Sequence, residues 1–372
     1  MTSLELNRTP LHDWHVAHGA RMVDFAGWAM PVQYRSIVEE HHATRRAMGL
    51  FDISHMGRVI VDGPDARAFL DSVLTRRIDD MAPGQVRYSL MCNEAGGVLD
   101  DVLVYQMHLP GGELTGYGLV VNAGNRAKIA AWLAQRQREF DVQVDDKTSD
   151  YTMIAAQGPR AIEAIDALTD YELTSLRYYH GVMTRVSGFR AFVSRTGYTG
   201  EDGCEIICDA ADVVRIWTEL MERAAAVGGG AVGLAARDTL RLEAGMPLYG
   251  HELSEQINPV EAGLEFAVNL RNREFAGRAA IVRFQQEGPR AVRVGLQLEA
   301  RRPARQGAVI LQGDAPVGAV TSGTFSPTFD RPIAMGYVKP TAAAPGTPVA
   351  VDIRGQHHAA QVVPLPFYQR GK

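Results

Sequence analysis

The sequence predicts an α+β fold in which two similar halves precede a domain made of β-strands. Residues 59–136 and 153–223 each read as a strand, a helix, three strands and a helix, an order that favours antiparallel sheets covered by helices. Beyond residue 291, short alternating segments separated by Gly and Pro are typical of a β-sandwich or barrel. At 372 residues the chain exceeds the size at which single cores stop growing, so two or three domains are expected.

Each half begins with a strand, a Gly-Pro turn and a helix. The turns are Gly63-Pro64 and Gly158-Pro159, and the repetition is consistent with an old duplication. Apolar spacing and capping residues predict helices over residues 10–18, 36–48, 65–74, 125–136, 160–168, 211–223 and 234–244.

Two carboxylates occupy strands in which apolar side chains are expected. Asp101 lies in the strand that follows Gly96-Gly97, and Glu205 lies in the strand that follows Gly203. Burying a carboxylate without a partner costs roughly several kcal/mol, so each is either paired within the fold or faces a ligand. Alternate residues of a strand share a face, so Asp101 lies beside Tyr105 while Asp100 points to the other side.

Both carboxylates also have ordinary explanations. Asp100 and Asp101 would be solvated if their strand were at the edge of a sheet. Glu205 would be neutralised by a buried arginine, for which Arg237 is the attractive partner, although an arginine on a helix is more often exposed. These alternatives remain open from the residues alone.

Composition excludes several classes of function. A net charge of -5 and a pI near 6.1 provide no general field for nucleic acid. The first residues lack the apolar core of a signal peptide, and no run of 18 apolar residues occurs, so we expect a cytoplasmic protein without membrane association. Three cysteines without a CxxC motif indicate a reducing compartment.

The histidines do not have the spacing of a metal site. Glu39–His42 are adjacent on a helix, where side chains point about 100° apart and cannot close on one ion. His12 and His15 share a face without a third ligand. The glycine-rich run 228–233 follows a helix, whereas a dinucleotide site needs a strand there. The sequence therefore predicts neither a metal nor a nicotinamide cofactor.

Several segments together resemble the T-protein family of the glycine cleavage system, the tetrahydrofolate-dependent aminomethyltransferases. The resemblance runs nearly from end to end. Its segments are Thr9-Pro10-Leu11, Asp24–Trp28, Met30–Tyr34, Leu50–Met56, Asn93–Asp101, Gly197–Glu205, Gly233–Gly245 and Ala334–Val338.

The resemblance implies three domains in a cloverleaf around a folate pocket. The first two would be interleaved α+β domains with antiparallel sheets, and the third a β-barrel or jelly roll. The implied limits are 1–52 with 147–247 for the first domain, 53–146 with 248–285 for the second, and 286–372 for the third.

The resemblance also implies the chemistry. In the family, the lipoylated H protein presents an aminomethyl group, and the methylene carbon passes to tetrahydrofolate with release of ammonia and formation of 5,10-methylenetetrahydrofolate. Asp101 matches the catalytic aspartate, and Glu205 matches the glutamate that binds the pterin ring. The other folate-binding positions carried over are Tyr88, Tyr105, Tyr198, Arg237 and Arg370.

Two alternatives accompany this interpretation. One is another folate-dependent demethylase or methyltransferase of the same family. The other is a non-catalytic folate-binding factor for iron-sulfur cluster maintenance. Those relatives carry a lysine-glycine-cysteine signature in the region where this chain has Gly197–Gly203, which disfavours the second alternative.

Overall fold

A computed structural model describes residues 5–107 and 116–371. Its helices are α1 (His12–Ala17), α2 (Ile37–Arg46), α3 (Ala66–Val73), α4 (Arg126–Arg136), α5 (Ala161–Asp166), α6 (Val213–Ala226), α7 (Leu234–Glu243) and α8 (Arg278–Glu287). Its strands are β1 (Asn7–Arg8), β2 (Arg21–Phe25), β3 (Trp28–Gln33), β4 (Gly49–Asp52), β5 (Gly57–Asp62), β6 (Val86–Cys92), β7 (Val98–Gln106), β8 (Tyr117–Val121), β9 (Gln143–Asp146), β10 (Tyr151–Gln157), β11 (Gly181–Val186), β12 (Phe189–Ser194), β13 (Gly203–Asp209), β14 (Gly230–Ala231), β15 (Val292–Leu298), β16 (Val309–Gln312), β17 (Ala315–Ser326), β18 (Arg331–Val338), β19 (Pro348–Ile353) and β20 (Gln356–Val363).

The predicted repetition is present in the fold. The two halves are β5-α3-β6-β7-β8-α4 and β10-α5-β11-β12-β13-α6, as the sequence pattern indicates. Their sheets also share a strand order, with β6-β7-β8-β5 in one and β11-β12-β13-β10 in the other. Strand β9 extends the first sheet beside β5, and β4 extends the second beside β10. These pairings are antiparallel, and β14 adds a short parallel edge to β4.

Three predicted helices are shorter than expected at their ends: α1, α2 and α5, the last of which covers Ala161–Asp166 instead of 160–168. Helix α1 begins only at His12, because Thr9 is used elsewhere and donates its hydroxyl to Asp52 at 2.7 Å. Helix α2 is capped by Ser36, whose side chain accepts from the Glu39 amide, and it ends at Arg46 before Gly49 begins β4.

The two sheets face each other across an apolar layer, here called the central layer. Buried side chains from both sheets and from α7 form it: Phe51, Ile53, Val86, Tyr105, Val120, Met153, Ala155, Phe192, Val232, Ala236 and Leu240. The outer faces are covered by helices, with Trp217 of α6 packed on one sheet and Phe69 of α3 on the other. A side chain on an inward strand face therefore points between the sheets.

The C-terminal strands form the predicted barrel. Six strands close it in the order β15-β18-β17-β16-β19-β20. Together with the two α+β sheets, this confirms the predicted fold class. The domain limits named above stay a prediction.

A buried carboxylate, Glu243 at the end of α7, joins helices to the barrel. It accepts hydrogen bonds from Arg45 of α2 at 2.9 Å, from the Thr328 hydroxyl at 2.7 Å, and from Ser326 of β17. His41 lies 3.3 Å from the same carboxylate. Burial would raise the pKa of Glu243, but these partners, His41 first, lower it to about 2.

Within the described residues, no helix is both long and apolar enough to cross a membrane. The first four residues, on which the prediction about a signal peptide partly rests, lie outside the described ranges.

Candidate functional site

Strand β7 places Asp101 in the interior of a sheet. Strands β6 and β8 flank β7 on its two sides, so the edge-strand explanation does not hold. Val102 and Val104 pack under the outer helices, whereas Leu103 and Tyr105 pack in the central layer. Asp101 shares the face of the latter pair and is half-buried.

Two neutral groups donate hydrogen bonds to Asp101. The Tyr88 hydroxyl is 3.1 Å from Oδ2, and the side-chain nitrogen of Asn122 is 2.8 Å from Oδ1. Burial raises the pKa of Asp101, and the two hydrogen bonds oppose that rise. No arginine, lysine or histidine of the described residues forms an ion pair with Asp101. Its charge is therefore available to a cationic group of a ligand.

The neighbouring Asp100 is enclosed and takes all its partners from one loop. It accepts from the Asn122 backbone at 3.0 Å, from the Asn122 side chain at 2.8 Å, and from the Asn125 side chain at 2.7 Å. Burial, followed by the charge of Asp101, raises the pKa of Asp100 to about 7. Asp100 is thus a buried carboxylate rather than a solvated one.

Glu205 lies in β13, between β12 and β10. Its register partner Ala155 packs in the central layer, so Glu205 faces that layer. Thr196 donates to its carboxylate. Burial raises the pKa of Glu205, while Thr196 and the charge of Arg237 lower it. Among the described residues Glu205 has no ion-pair partner within 4.0 Å, so the structure does not show the buried salt bridge considered above.

Two buried donors beside Glu205 lack hydrogen-bond partners within the described part of the chain. They are Nη1 of Arg237 and the hydroxyl of Tyr105. The Arg237 guanidinium lies over the Tyr198 ring, 4.8 Å from its centroid. Buried polar atoms in proteins are nearly always paired, so these donors are suited to bind a polar ligand.

Tyr198 connects the two carboxylate regions. Its hydroxyl donates to the Pro247 carbonyl at 2.5 Å. Burial raises the pKa of Tyr198, and the nearby charge of Asp101 raises it further while Arg237 opposes the rise. We therefore group Asp101, Tyr198, Arg237 and Glu205 as one cluster, in which Arg237 contacts the Tyr198 ring and the charges of Asp101 and Glu205 act on Tyr198 and Arg237, respectively.

Arg370 is the predicted position that the structure leaves outside this cluster. Its side chain is exposed, with Nη1 3.3 Å from Asp202 and the guanidinium 5.6 Å from the Tyr178 ring centroid. It lies at the surface beside Tyr178, which precedes β11, and Asp202, which follows β12.

Three contact residues were missed by the sequence interpretation. Asn122 donates a hydrogen bond to Asp101, and Asn125 donates one to Asp100. Thr196 donates one to Glu205. One sequence feature could have indicated Asn122 as a contact residue: it directly follows the apolar strand β8, where a chain usually turns. Thr196 carries no such signal, because threonine is common in and beside strands.

Two of the histidines considered as metal ligands, His15 and His41, are buried and have hydrogen-bond partners. His15 contacts Asp52 at 2.9 Å and the Tyr34 hydroxyl at 2.8 Å, and His41 contacts two threonine hydroxyls. No cluster of three potential metal ligands occurs within residues 5–107 and 116–371.

These observations define a class: an α+β protein with a C-terminal barrel and an acidic, aromatic site between two facing sheets. The GCVT N-terminal domain family matches residues 11–272, and the glycine cleavage T-protein C-terminal barrel domain family matches residues 292–369. The chain therefore belongs to the glycine cleavage T-protein family, which confirms the resemblance.

Curated relatives match over their full length. The aminomethyltransferase of Streptomyces coelicolor is 46% identical, with 100% of each chain covered. That of Geobacillus kaustophilus is also 46% identical, over 99% of this chain and 100% of its own. The crystal structure of the glycine cleavage system aminomethyltransferase T from Bartonella henselae superposes with a TM-score of 0.91 at 36% identity, covering 98% of both chains.

Proposed function

We propose that this chain is the aminomethyltransferase of the glycine cleavage system. It transfers the methylene carbon from the aminomethyl-lipoyl arm of the H protein to tetrahydrofolate, releasing ammonia and forming 5,10-methylenetetrahydrofolate. The observation that carries the proposal is that Asp101 and Glu205 lie on inward strand faces of the two facing sheets, each hydrogen-bonded to neutral donors and without an ion-pair partner among the described residues. The full-length similarity to curated aminomethyltransferases supports it.

Asp101 is the proposed catalytic group. Loss of ammonia and transfer of the methylene carbon pass through cationic, iminium-like character. A preorganised carboxylate in a site that excludes water stabilises such charge strongly. Asp101 suits this role because its two hydrogen-bond donors are neutral and leave its charge uncompensated. It can also accept a proton from a reacting nitrogen.

Glu205 is the proposed anchor for the pterin ring. A carboxylate can accept two hydrogen bonds from the 2-amino and N3 groups of the ring. The unpaired donors of Arg237 and Tyr105 would bind its acceptor atoms, and Tyr88 and Tyr198 would line the ring. Arg370, at the surface, would contact the folate tail.

The proposal includes the partners and the location. The partners are the lipoylated H protein and folate, without nucleic acid or membrane, and no metal takes part. A cytoplasmic location and the three predicted domains belong to the same proposal.

The test is formation of ammonia and 5,10-methylenetetrahydrofolate from aminomethylated H protein, measured with and without tetrahydrofolate. We expect the folate product only when tetrahydrofolate is present. Folate binding without any turnover would instead indicate a non-catalytic factor. Turnover of a methylated amine, with none from the H protein, would indicate a sister folate enzyme.

A further inference from the structure

Asp100 accepts hydrogen bonds from two atoms of one residue, Asn122. One carboxylate accepts from the backbone N–H and from the side-chain amide of Asn122. The same amide nitrogen also lies 2.8 Å from Oδ1 of Asp101. The Asn122 amide therefore bridges two adjacent carboxylates that leave the strand on opposite faces.

We propose that Asp100 is a positioning residue that holds the Asn122 carboxamide in the orientation in which it donates to Asp101. Asp100 is fully buried, so it reaches no ligand itself. This inference rests on the proposed function, in which Asp101 acts on the reacting nitrogens.

The free-energy cost of burying the Asp100 carboxylate argues for such a role. A buried carboxylate without a cation is costly, and apolar residues usually serve a core better. Within the described residues Asp100 has no ion-pair partner, and its donors are all amides of Asn122 and Asn125. The contacts of Asp100 therefore serve the orientation of the Asn122 loop rather than a salt bridge.

The substitution Asp100→Asn would disturb these hydrogen bonds while keeping the volume of the side chain. The carboxylate accepts from three donors, two on one oxygen and one on the other. An amide has one acceptor oxygen, so its nitrogen would face an N–H group and one of the contacts would be lost. The substitution would loosen the hold of position 100 on Asn122, whose side chain would keep its bonds to the carboxylate and the carbonyl oxygen of Asp101.

The experiment compares Asp100→Asn, Asp101→Asn and the double variant in steady-state assays with aminomethylated H protein and tetrahydrofolate. We expect Asp100→Asn to lower kcat about tenfold or more, because small misplacements of a catalytic group reduce rates strongly. The KM for tetrahydrofolate should change much less. In the Asp101→Asn background, the Asp100 substitution should cause no further loss of kcat, since its effect acts through Asp101.

If Asp100→Asn does not fold, a second variant, Asn125→Ala, tests the inference instead. It removes one donor from Asp100 and one from the Leu99 carbonyl, and it changes neither Asn122 nor Asp101. We expect a smaller loss of kcat in the same direction, with thermal unfolding as the check on folding. Wild-type kcat in folded Asp100→Asn, or in folded Asn125→Ala if the former does not fold, would overturn the inference, as would fully additive losses in the double variant. An inactive wild-type protein would instead overturn the proposed function.

Discussion

The hydroxyl of Tyr88 donates to Oδ2 of Asp101 across 3.1 Å, and the Tyr88 ring is stacked on Phe266 with 6.0 Å between centroids. Phe266 is 62% exposed, the largest exposed fraction among the bulky apolar side chains of the described residues. Tyr88 and Asp101 are themselves half-buried, so the hydrogen bond to the proposed catalytic carboxylate lies near the protein surface, beneath Phe266.

Replacing Tyr88 with Phe should change the pH dependence of turnover. The Tyr88 hydrogen bond lowers the pKa of Asp101, so its loss raises that pKa. If ionised Asp101 is required, the acidic limb of the kcat profile moves to higher pH, and kcat at neutral pH falls several-fold, roughly. The control is Tyr337→Phe, which removes a hydroxyl bonded to the Glu252 carbonyl. An identical acidic limb in wild type and Tyr88→Phe would contradict the assignment.

Replacing Glu205 with Gln should weaken folate binding. The substitution keeps the shape and removes the charge, and a hydrogen bond to a charged group contributes roughly 1.5–3 kcal/mol. We expect the affinity for a reduced folate to fall about tenfold or more in calorimetric titration. Glu163→Gln, on the helix α5, is a matched control with an exposed side chain. Unchanged affinity in the Glu205 variant would remove this residue from the site.

Replacing Asp101 with Asn separates catalysis from binding. If the charge acts mainly on a cationic transition state, kcat should drop by about a hundredfold or more while folate affinity changes much less. Formation of methylenetetrahydrofolate gives kcat, and titration gives the affinity. The loss should exceed that of Asp100→Asn, which is expected to act only through Asn122. Near-normal turnover in the folded variant would show that the catalytic assignment is wrong.

Chelation should leave activity intact. Neither the spacing of the histidines nor the described contacts provide a set of metal ligands. We expect full turnover after exhaustive dialysis against a chelator, assayed in metal-free buffer. A loss that one divalent ion restores would show that a metal participates.

Asp52 should make stability depend on pH in acid. Burial would raise its pKa, but hydrogen bonds and charge from His15, with Ser54 and Thr9, lower it to about 2. Its folded pKa is thus below the unfolded value of about 3.9, so its contribution is complete above that value and is lost as pH falls toward 2.

We therefore expect Asp52→Asn to be destabilised by about 2 kcal/mol at pH 7, with a difference from wild type that shrinks between about pH 4 and 2. Chemical unfolding across this range gives the difference. Asp13→Asn, whose side chain is 98% exposed, is the control. A constant difference between wild type and Asp52→Asn would rule out this titration.

The sequence predicted the order of elements well because turn chemistry and apolar spacing are local. The Gly-Pro turns and the alternation in β7 and β13 correctly indicated strands that carry Asp101 and Glu205. The contacts of those carboxylates were not predictable in the same way. Asn122 meets Asp101 across neighbouring strands, and Thr196 meets Glu205 across a loop, so both depend on register.

The strand pattern also did not predict that Asp100 and Asp101 both accept hydrogen bonds from Asn122. Alternation placed the two side chains on opposite faces, and the packing of residues 102–105 agrees with it, although a register shift at Leu99 breaks the alternation just before Asp100. Both nevertheless reach Asn122, because that residue stands just beyond the end of β8, where a side chain can contact both faces. Alternation describes the interior of a sheet and does not apply beyond a strand's last residue.

The hydrogen bonds at Glu243 oppose separation of the barrel from α7. Moving the barrel away from α7 would break three hydrogen bonds from Ser326 and Thr328 to this carboxylate. Each is worth about 1.5–3 kcal/mol, so fewer than about one molecule in a thousand would adopt such an opened form. The barrel therefore stays docked on α7 in nearly all molecules.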